Sequence, residues 1–349
     1  MFLNNRLKNY TQLSKDICCL TDIKLCDLIS KSKNLNSSIG GESHVLMISD
    51  ISVFVKKISL TDLENQSEHI LKTANLFKLP LFYQYGVGST GFGAWRELAA
   101  HIITTDWVLK KECPNFPLLY HWRILSNDEP KIISDQKLKN DVEYWEGSLT
   151  IGHRIESLHQ ASSNIILFLE YAPQTLYEWL SCQLKIGGST AESAISFVDK
   201  NLKLIINFMN KRGLVHFDAH FHNILTDGEI IYLSDFGLSL SSEFDLTSEE
   251  IDFLKAHRTY DRCATIVNLL HCLITSSFGK DQWEKKLKEY VDQKLNKLSP
   301  PIDSIITKYS QIALVMDKFY QNLQKKTKLT PYPAAQLEYL LSTIGEEST

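Results

Sequence analysis

The sequence lacks the features that mark nucleic-acid binding, secretion and membrane insertion. Its 37 lysine and arginine residues nearly balance 41 aspartate and glutamate residues, so the net charge at pH 7 is only −4. A nucleic-acid partner is not expected, because binding to phosphates needs a basic excess. Residues 1–16 contain no apolar core of a signal peptide, and no stretch approaches the ~20 apolar residues of a membrane-spanning helix. We therefore expect a soluble, unprocessed, cytoplasmic chain with no membrane span.

Paired cysteines are also missing. The seven cysteines are odd in number, and none belongs to a Cys-x-x-Cys pair. This pattern predicts reduced thiols and argues against zinc. The 349 residues are 44% hydrophobic and 22% charged, which excludes disordered and fibrous classes and allows two domains or lobes.

The hydrophobic pattern changes from strand-rich to helix-rich along the chain. Residues 1–37 have helical spacing and are interpreted as an N-terminal helical extension. Residues 38–171 contain the predicted strands, including a hairpin over 38–60. Residues 172–349 are mainly helical in pattern. We therefore predict an α+β protein with two lobes.

Two insertions are expected within residues 38–171. The first covers 61–93 and begins with a predicted helix over 61–77, because Thr61-Asp62-Leu63-Glu64 resembles a capping box. The second covers 126–163, is polar with few periodic signals, and could contain one helix.

One stretch, residues 214–238, carries polar side chains at a spacing suited to phosphoryl transfer. It contains the pattern HxDxHxxN over 216–223 and the triplet DFG over 235–237. Transfer from ATP needs oxygens that hold magnesium on the phosphates, a carboxylate facing the acceptor hydroxyl, and a lysine on the phosphates. A loop would bring Asp218 and Asn223 together, and a hairpin would return Asp235 to the same cleft.

These motifs resemble those of the protein-kinase-like superfamily, whose fold has a small β-rich N-lobe and a larger helical C-lobe. The resemblance covers about residues 38–275. It implies that Asp218 is the catalytic base and that Asn223 and Asp235 are ligands of Mg²⁺ or Mn²⁺. It also implies structural roles for four further residues: His216, Phe236, Gly237 and Asp261.

The three histidines of the 216–223 pattern allow a different interpretation. His216, His220 and His222 alternate along a loop, as ligands of a zinc ion could. This alternative leaves the DFG triplet unexplained, so the phosphotransfer interpretation is preferred.

The phosphate-binding lysine and its glutamate partner are expected upstream. Lys56 ends the run VFVK, which resembles the Val-Ala-Ile-Lys motif of the family, and would contact the ATP phosphates. Strand alternation lets only one of Lys56 and Lys57 face the nucleotide. The resemblance makes Glu97 the partner of the lysine, with Glu68 as the alternative. The insertion 61–93 would account for the long separation between Lys56 and Glu97.

Two further segments would bind ATP by the same resemblance. Gly40 and Gly41 stand where the family has its phosphate-covering loop, although the full glycine pattern is absent. Glu170, Tyr171 and Ala172 end a buried strand where the resemblance implies a hinge whose backbone binds adenine.

A second glycine pattern, Gly86-x-Gly88-x-x-Gly91, suggests a rival class of enzyme. It follows a strand-like run and precedes a helix, which is the context of a dinucleotide-binding fingerprint in an oxidoreductase. The next strand ends at Ser126-Asn127 without the expected acidic residue. The glycines are therefore interpreted as a mobile loop beside the cleft, at a helix N-terminus where it could contact phosphates.

The substrate class is less constrained than the reaction. His220 replaces the lysine that Ser/Thr protein kinases usually have two residues after the catalytic Asp218, and we include it among the catalytic residues. The pattern is similar to aminoglycoside and choline phosphotransferases and to UbiB-like kinases, whereas DFG resembles protein kinases and the UbiB-like group more than antibiotic kinases. The short segment between Gly237 and Asp261 contains no Ala-Pro-Glu and offers little platform for a peptide.

We predict a Mg-ATP-dependent enzyme, an atypical Ser/Thr protein kinase that transfers phosphate to a hydroxyl. A small-molecule phosphotransferase and a pseudokinase binding module stay open as alternatives, so the partner is a protein or a small molecule with a hydroxyl. The acidic C-terminal end allows an alternative to a cytoplasmic location, in which the protein is a bacterial effector delivered into a host cell.

Overall fold

The computed structural model describes residues 2–38, 41–127, 132–293 and 298–345. The predicted α+β class is confirmed, with 54% helix and 14% strand. The chain forms two compact units. Unit 1 contains Met1–Ala172, Asp235–Ser239 and Phe244–Thr247, and unit 2 contains Pro173–Ser234, Leu240–Glu243 and Ser248–Thr349.

The described part of unit 1 is built on a five-stranded antiparallel sheet in the order β1-β2-β3-β5-β4. Its strands are β1 (Lys33–Ser38), β2 (Gly41–Ile48), β3 (Ile51–Leu60), β4 (Leu119–Ser126) and β5 (Ser163–Glu170). Its helices are α1 (Phe2–Cys18), α2 (Asp22–Ser30), α3 (Ala94–Leu109), α4 (Asp135–Tyr144) and α5 (Leu149–Gln160). Pairing β3 between β2 and β5 suits its β-branched residues, which favour the pleated, buried centre of a sheet.

Helix α3 packs on one face of this sheet. Ile58 and Leu60 of β3 lie in one apolar cluster with Trp95 and Leu98 of α3. Residues 54, 56, 58 and 60 share a face, because successive side chains of a strand point to opposite sides. Lys56 therefore lies on the face of the sheet that α3 covers.

The N-terminal extension is shorter than predicted. It is helical only as far as Ser30, because Lys33–Ser38 forms β1 and pairs with β2. Helix α1 is also an integral part of unit 1, since Leu13 and Ile17 are fully buried.

The predicted helix over 61–77 is wrong. The capping hydrogen bonds do form, from Glu64 N to Thr61 Oγ1 at 3.3 Å and from Thr61 N to Glu64 Oε2 at 3.2 Å. The chain then continues as turns, with one 3-10 turn at Leu81–Gln84. The cause is tertiary. The buried Glu64 carboxylate accepts hydrogen bonds from Ala94 N at 2.8 Å and Arg154 Nη1 at 2.6 Å, so it caps α3 instead of a helix of its own.

The insertion 126–163 holds two helices within its described residues, α4 and α5, where at most one was expected. Ser134 and Ser148 begin them, because each serine hydroxyl accepts a hydrogen bond from a backbone N–H of the first turn. Arg154 of α5, 2% exposed, reaches Glu64 in the first insertion.

Unit 2 is mainly helical. Its helices are α6 (Leu176–Ile186), α7 (Gly188–Lys211), α8 (Ser248–Ala256), α9 (Tyr260–Phe278), α10 (Trp283–Val291), α11 (Pro300–Lys325) and α12 (Ala334–Thr343). Its short strands are β6 (Gln174–Thr175), β7 (Leu214–Val215), β8 (Ile224–Thr226), β9 (Ile231–Leu233) and β10 (Leu240–Ser241). The hairpin β8–β9 is extended by β6, and β10 pairs with β7. No helix in the described ranges has the length and apolar character needed to cross a membrane.

Candidate functional site

Three charged residues that are distant in the sequence meet in unit 1. Lys56 Nζ donates hydrogen bonds to Glu97 Oε1 at 2.6 Å and to Asp235 Oδ1 at 2.8 Å. The Lys56 and Glu97 side chains are 12% and 5% exposed, whereas Asp235 is 42% exposed. The lysine is therefore held between one buried and one accessible carboxylate.

The fold explains why this lysine and this glutamate are joined. Lys56 lies on the face of β3 that α3 covers, and Glu97 stands in the first turn of α3. Lys57 points to the opposite face, where its Nζ is 3.7 Å from Glu42 Oε2. Glu68 is exposed and accepts a hydrogen bond from Ser67 Oγ. The structure thus joins Lys56 to Glu97 and brings neither Lys57 nor Glu68 into this cluster.

The two carboxylates keep Lys56 charged. Burial alone would lower the Lys56 pKa, but the charges of Asp235 and Glu97 outweigh burial and hold the pKa above its ordinary value. Lys56 is therefore a cation at neutral pH despite its burial.

Asp235 reaches Lys56 from an unusual backbone conformation. Its φ is +64°, in the left-handed region that costs a non-glycine residue about 1–3 kcal/mol unless the surroundings hold it. Phe236 anchors the next position, because its fully buried ring packs edge-on against His101 at 5.0 Å between centroids. At Gly237 an added Cβ would stand 3.3 Å from Glu97 Oε2, so a small residue lets the chain pass close to Glu97.

In unit 2, the loop before β8 joins Asp218 to Asn223. Asn223 Nδ2 donates to Asp218 Oδ2 at 2.8 Å and to the Asp218 carbonyl at 3.2 Å. His220 Nε2 lies 3.8 Å from Asp218 Oδ1, and its side chain is 42% exposed. The amide thus orients the carboxylate, and the imidazole stands beside it.

His216 and Asp261 fix the conformation of this loop by hydrogen bonds to its backbone. The buried Asp261 carboxylate accepts hydrogen bonds from His216 N at 2.6 Å and Phe217 N at 2.9 Å. Burial raises the pKa of Asp261 to about 7 despite these bonds. His216 Nε2 bonds the Ser234 carbonyl at 2.9 Å and its Nδ1 accepts a hydrogen bond from Asp218 N at 3.3 Å, so the ring joins the backbone of Asp218 to that of Ser234.

The zinc interpretation of the three histidines gains no support. Both ring nitrogens of His216 bond backbone groups, which leaves the ring unsuited to metal ligation. The described ranges contain no group of three or more His, Cys, Asp or Glu side chains placed to hold a metal ion. Asn223 and Asp235 each carry an oxygen donor of the kind that Mg²⁺ prefers.

The segment Glu170–Ala172, where the hinge was predicted, is anchored by a residue that sequence reasoning missed. Arg6 of α1 donates from Nε and Nη2 to the two carboxylate oxygens of Glu170, at 2.8 and 2.7 Å. Leu118 N donates to Glu170 Oε2 at 3.1 Å. An arginine inside a helix gives no local signal of a partner 164 residues away.

The predicted glycine sites differ in outcome. Gly40 lies outside the described residues. Gly41 begins β2 with φ +128°, and an added Cβ there would stand 2.1 Å from the Lys57 carbonyl oxygen, so glycine is required for close strand pairing. The dinucleotide interpretation of Gly86–Gly91 is wrong in its context, because a 3-10 turn rather than a strand precedes these glycines.

Comparisons with known proteins assign no family to the chain. No protein-family model matches it, and no curated protein matches it. The geometry of the two residue groups, Lys56–Glu97–Asp235 and Asp218–Asn223, is therefore what points to a function.

Proposed function

We propose that the protein is a Mg-ATP-dependent phosphotransferase with a two-lobed, protein-kinase-like fold, acting as an atypical Ser/Thr protein kinase. The observation that carries the proposal is the double hydrogen bond of Lys56 to Glu97 and Asp235, which are 41 and 179 positions away in the chain. In protein kinases the lysine–glutamate ion pair and the magnesium-binding aspartate must both be in place. Packing alone has no need of a buried lysine between two carboxylates, since burying charge is costly.

Each residue has a role in the proposed reaction. Lys56, fixed by Glu97, would bind the ATP phosphates, and Asp235 and Asn223 would ligate Mg²⁺ or Mn²⁺. A bound metal ion would supply positive charge to the phosphate oxygens. Asp218 accepts the proton of the acceptor hydroxyl while the γ-phosphoryl group passes to that oxygen and ADP leaves.

The contacts of Asp218 support its role. Asn223 Nδ2 bonds Oδ2 of Asp218 and so fixes the rotation of the carboxylate. A positioned general base contributes about 10²–10⁴-fold to a rate, and its geometry must be set before the reaction. His220, exposed beside Asp218, would contact the incoming phosphate or acceptor in this proposal.

Adenine would bind the backbone of Glu170, Tyr171 and Ala172. The anchoring of Glu170 by Arg6 supports this assignment, because a backbone that recognises a planar base by hydrogen bonds has to be rigid. The Glu170 side chain is then occupied by Arg6 and serves as a support.

A small-molecule hydroxyl is the second candidate acceptor. It is favoured by His220, which stands 3.8 Å from Asp218 where protein kinases usually have a lysine. The chemistry and the residues are the same as for a protein acceptor. A pseudokinase, which binds nucleotide without turnover, is a further outcome of the test.

The test is transfer from [γ-³²P]ATP with Mg²⁺, with label scored in the protein and in the low-mass fraction. We expect Asp218→Asn and Asp235→Asn each to lower transfer at least about hundredfold. The matched control is Asp252→Asn, which removes an exposed carboxylate on α8 and should transfer at the wild-type rate.

The outcomes separate the candidates. Label in protein supports the kinase, and label in the low-mass fraction supports the small-molecule enzyme. Nucleotide-dependent thermal stabilisation without transfer would indicate a pseudokinase. Absence of any nucleotide binding would overturn the proposal.

A further inference from the structure

The chain from Asp235 to Thr247 is called the segment below. Within unit 1, its residues 235–239 and 244–247 contact the first insertion, residues 61–93. Gln84 is 2% exposed, and its Nε2 donates a hydrogen bond to the Leu238 carbonyl. Gln84 belongs to the 3-10 turn Leu81–Gln84, which brings its side chain to this carbonyl. A side-chain amide buried against a backbone carbonyl fixes that backbone, because neither group has water as an alternative partner.

A second contact lies near the C-terminal end of the segment, at Asp245. Thr73 and Asp245 exchange three hydrogen bonds, from Thr73 N and Oγ1 to Asp245 Oδ2, both at 3.1 Å, and from Asp245 N to Thr73 Oγ1 at 2.8 Å. The Thr73 hydroxyl thus serves as donor and acceptor at once. Hydrogen bonds to a charged carboxylate are about twice as strong as neutral ones.

A third contact is a close approach of two backbones. Gly91 has φ +75°, and a Cβ on it would stand 2.3 Å from the Gly237 carbonyl oxygen. Gly237 in turn lies beside Glu97, where a Cβ would be 3.3 Å from Oε2. The glycine-rich stretch therefore packs directly on the chain next to Asp235.

Arg96 links these contacts to the glutamate of the site. It is 2% exposed and precedes Glu97 in α3. Its Nε donates to the Thr73 carbonyl at 2.6 Å, and its guanidinium lies over the ring of Phe244 at 5.7 Å from the centroid. One side chain of α3 thus contacts both the insertion and the segment.

We propose that Thr73, Gln84 and Gly91 are positioning residues that hold residues 235–239 and 244–247 so that Asp235 stays bonded to Lys56. Asp235 needs such support, because its left-handed conformation persists only where the surrounding structure fixes it. In protein kinases this ordering is controlled by phosphorylation of the corresponding segment. Here the insertion supplies it, so the site is assembled without covalent modification. The catalytic consequence rests on the proposed function, but the holding of the segment does not.

Two of the three serines of the segment agree with this arrangement, whereas Ser242 is exposed. Ser239 and Ser241 are 2% and 1% exposed. Ser239 Oγ donates to the Phe236 carbonyl at 2.9 Å, and Ser241 Oγ accepts from Glu243 N at 3.2 Å. Their hydroxyls therefore hold local turns and are closed to a modifying enzyme.

The test compares Thr73→Val, which removes the hydroxyl at nearly constant shape, with Thr73→Ser, which keeps it. The matched control pair is Thr175→Val and Thr175→Ser in unit 2. Thr175 exchanges the same three kinds of bond with the carboxylate of Glu178, and these cap α6. Gln84→Leu is a second variant at an independent contact, and far-UV circular dichroism shows whether each variant is folded.

Two measurements need no enzymatic activity. Hydrogen–deuterium exchange of peptides covering 235–247 should be about tenfold faster in Thr73→Val and Gln84→Leu, and near wild type in Thr73→Ser and in both Thr175 variants. Labelling of Lys56 by an amine-reactive ester should rise about tenfold in the same two variants, because the bond to Asp235 shields the amine.

The kinetic measurement links the segment to the reaction. Thr73→Val should lower kcat about tenfold and raise the Mg²⁺ concentration for half-maximal rate, with rescue by Thr73→Ser. A variant that only loses stability would not show the Mg²⁺ shift.

Unchanged exchange and unchanged Lys56 labelling in both variants would overturn the proposal, as would faster exchange with wild-type kcat and Mg²⁺ dependence. A wild type that transfers no phosphate contradicts the proposed function instead. In that case the exchange and labelling data still decide whether the insertion holds Asp235.

Discussion

Arg6 anchors the N-terminal helix α1 to the end of β5. Its side chain is 4% exposed and forms a bidentate ion pair with Glu170, which is 15% exposed. Two further donors reach the carbonyls of Pro114 at 2.6 Å and Phe116 at 2.7 Å. Removing this one side chain should therefore lower the free energy of unfolding substantially.

The perturbation is Arg6→Met, which keeps an unbranched apolar stem close to that of arginine and removes every donor. Breaking a buried ion pair from one side costs about 3–5 kcal/mol, because the other charge is left without its partner. Glu170 keeps its bond from Leu118 N, which reduces the cost, whereas the two carbonyls lose a donor. We expect the free energy of unfolding to fall by about 3 kcal/mol, which is a large part of the roughly 5–15 kcal/mol of a typical domain.

The assay is urea unfolding followed by tryptophan fluorescence, with Arg6→Met, Glu170→Gln and the double variant. The two residues are in direct contact, so the double variant should lose less than the sum of the single losses, by about 2 kcal/mol. The control is Lys8→Met, on an exposed position of the same helix, which should change the unfolding free energy by less than about 0.5 kcal/mol.

Two results would refute the reasoning. A loss below about 1 kcal/mol in Arg6→Met would mean that α1 is not fixed by this contact. Additive losses in the double variant would mean that the two side chains are not coupled, even if each variant is destabilised.

The remaining predictions concern buried ionisable groups. Burial raises the pKa of Asp261 from 3.8 to about 7, so the folded protein holds this proton more tightly, and the stabilisation present below pH 4 is lost as pH rises through 7. Asp261→Asn should flatten the dependence of the urea midpoint on pH between 5 and 8, and an unchanged slope would contradict this. Burial lowers the pKa of His257 to about 4, so its contribution to the free energy of unfolding is present above pH 6.5 and is lost as the pH falls to 4. His257→Phe should therefore reduce acid destabilisation in the same urea titration. Glu64→Gln leaves the buried Arg154 charge unpaired and should cost about 3–5 kcal/mol in urea unfolding, whereas the exposed Glu68→Gln should leave the midpoint unchanged; equal effects of the two would refute the role of Glu64.

Much of the local structure could be predicted from the sequence. The α+β class, the strand around Lys56 and the helices after residue 172 follow from the period of the apolar residues, which is a local property of the chain. The grouping of Asp218 with Asn223 also follows, because five positions within one loop keep two side chains close.

Local signals failed where a distant partner competed for the same group. Thr61 and Glu64 carry a helix-start signal and form its hydrogen bonds, yet no helix follows. The Glu64 carboxylate pairs instead with Arg154, 90 positions away, and caps α3. Leaving the buried Arg154 without its charge partner would cost more than the start of one isolated helix would gain, so the tertiary contact determines the local structure.

Local pattern alone did not choose between the paired candidates, although the resemblance favoured Lys56 over Lys57 and Glu97 over Glu68. Because side chains alternate along a strand, only one of Lys56 and Lys57 can face α3. Which of the two it is depends on the face of the sheet on which α3 packs. Arg6 and Gln84 gave no signal at all, because their partners are 164 and 154 positions away. The sequence by itself determined which elements form and which residues carry reactive groups, since these depend on neighbours along the chain. Only the tertiary structure decided which of those groups meet, since burial and ion pairing depend on residues that are close in space and far apart in sequence.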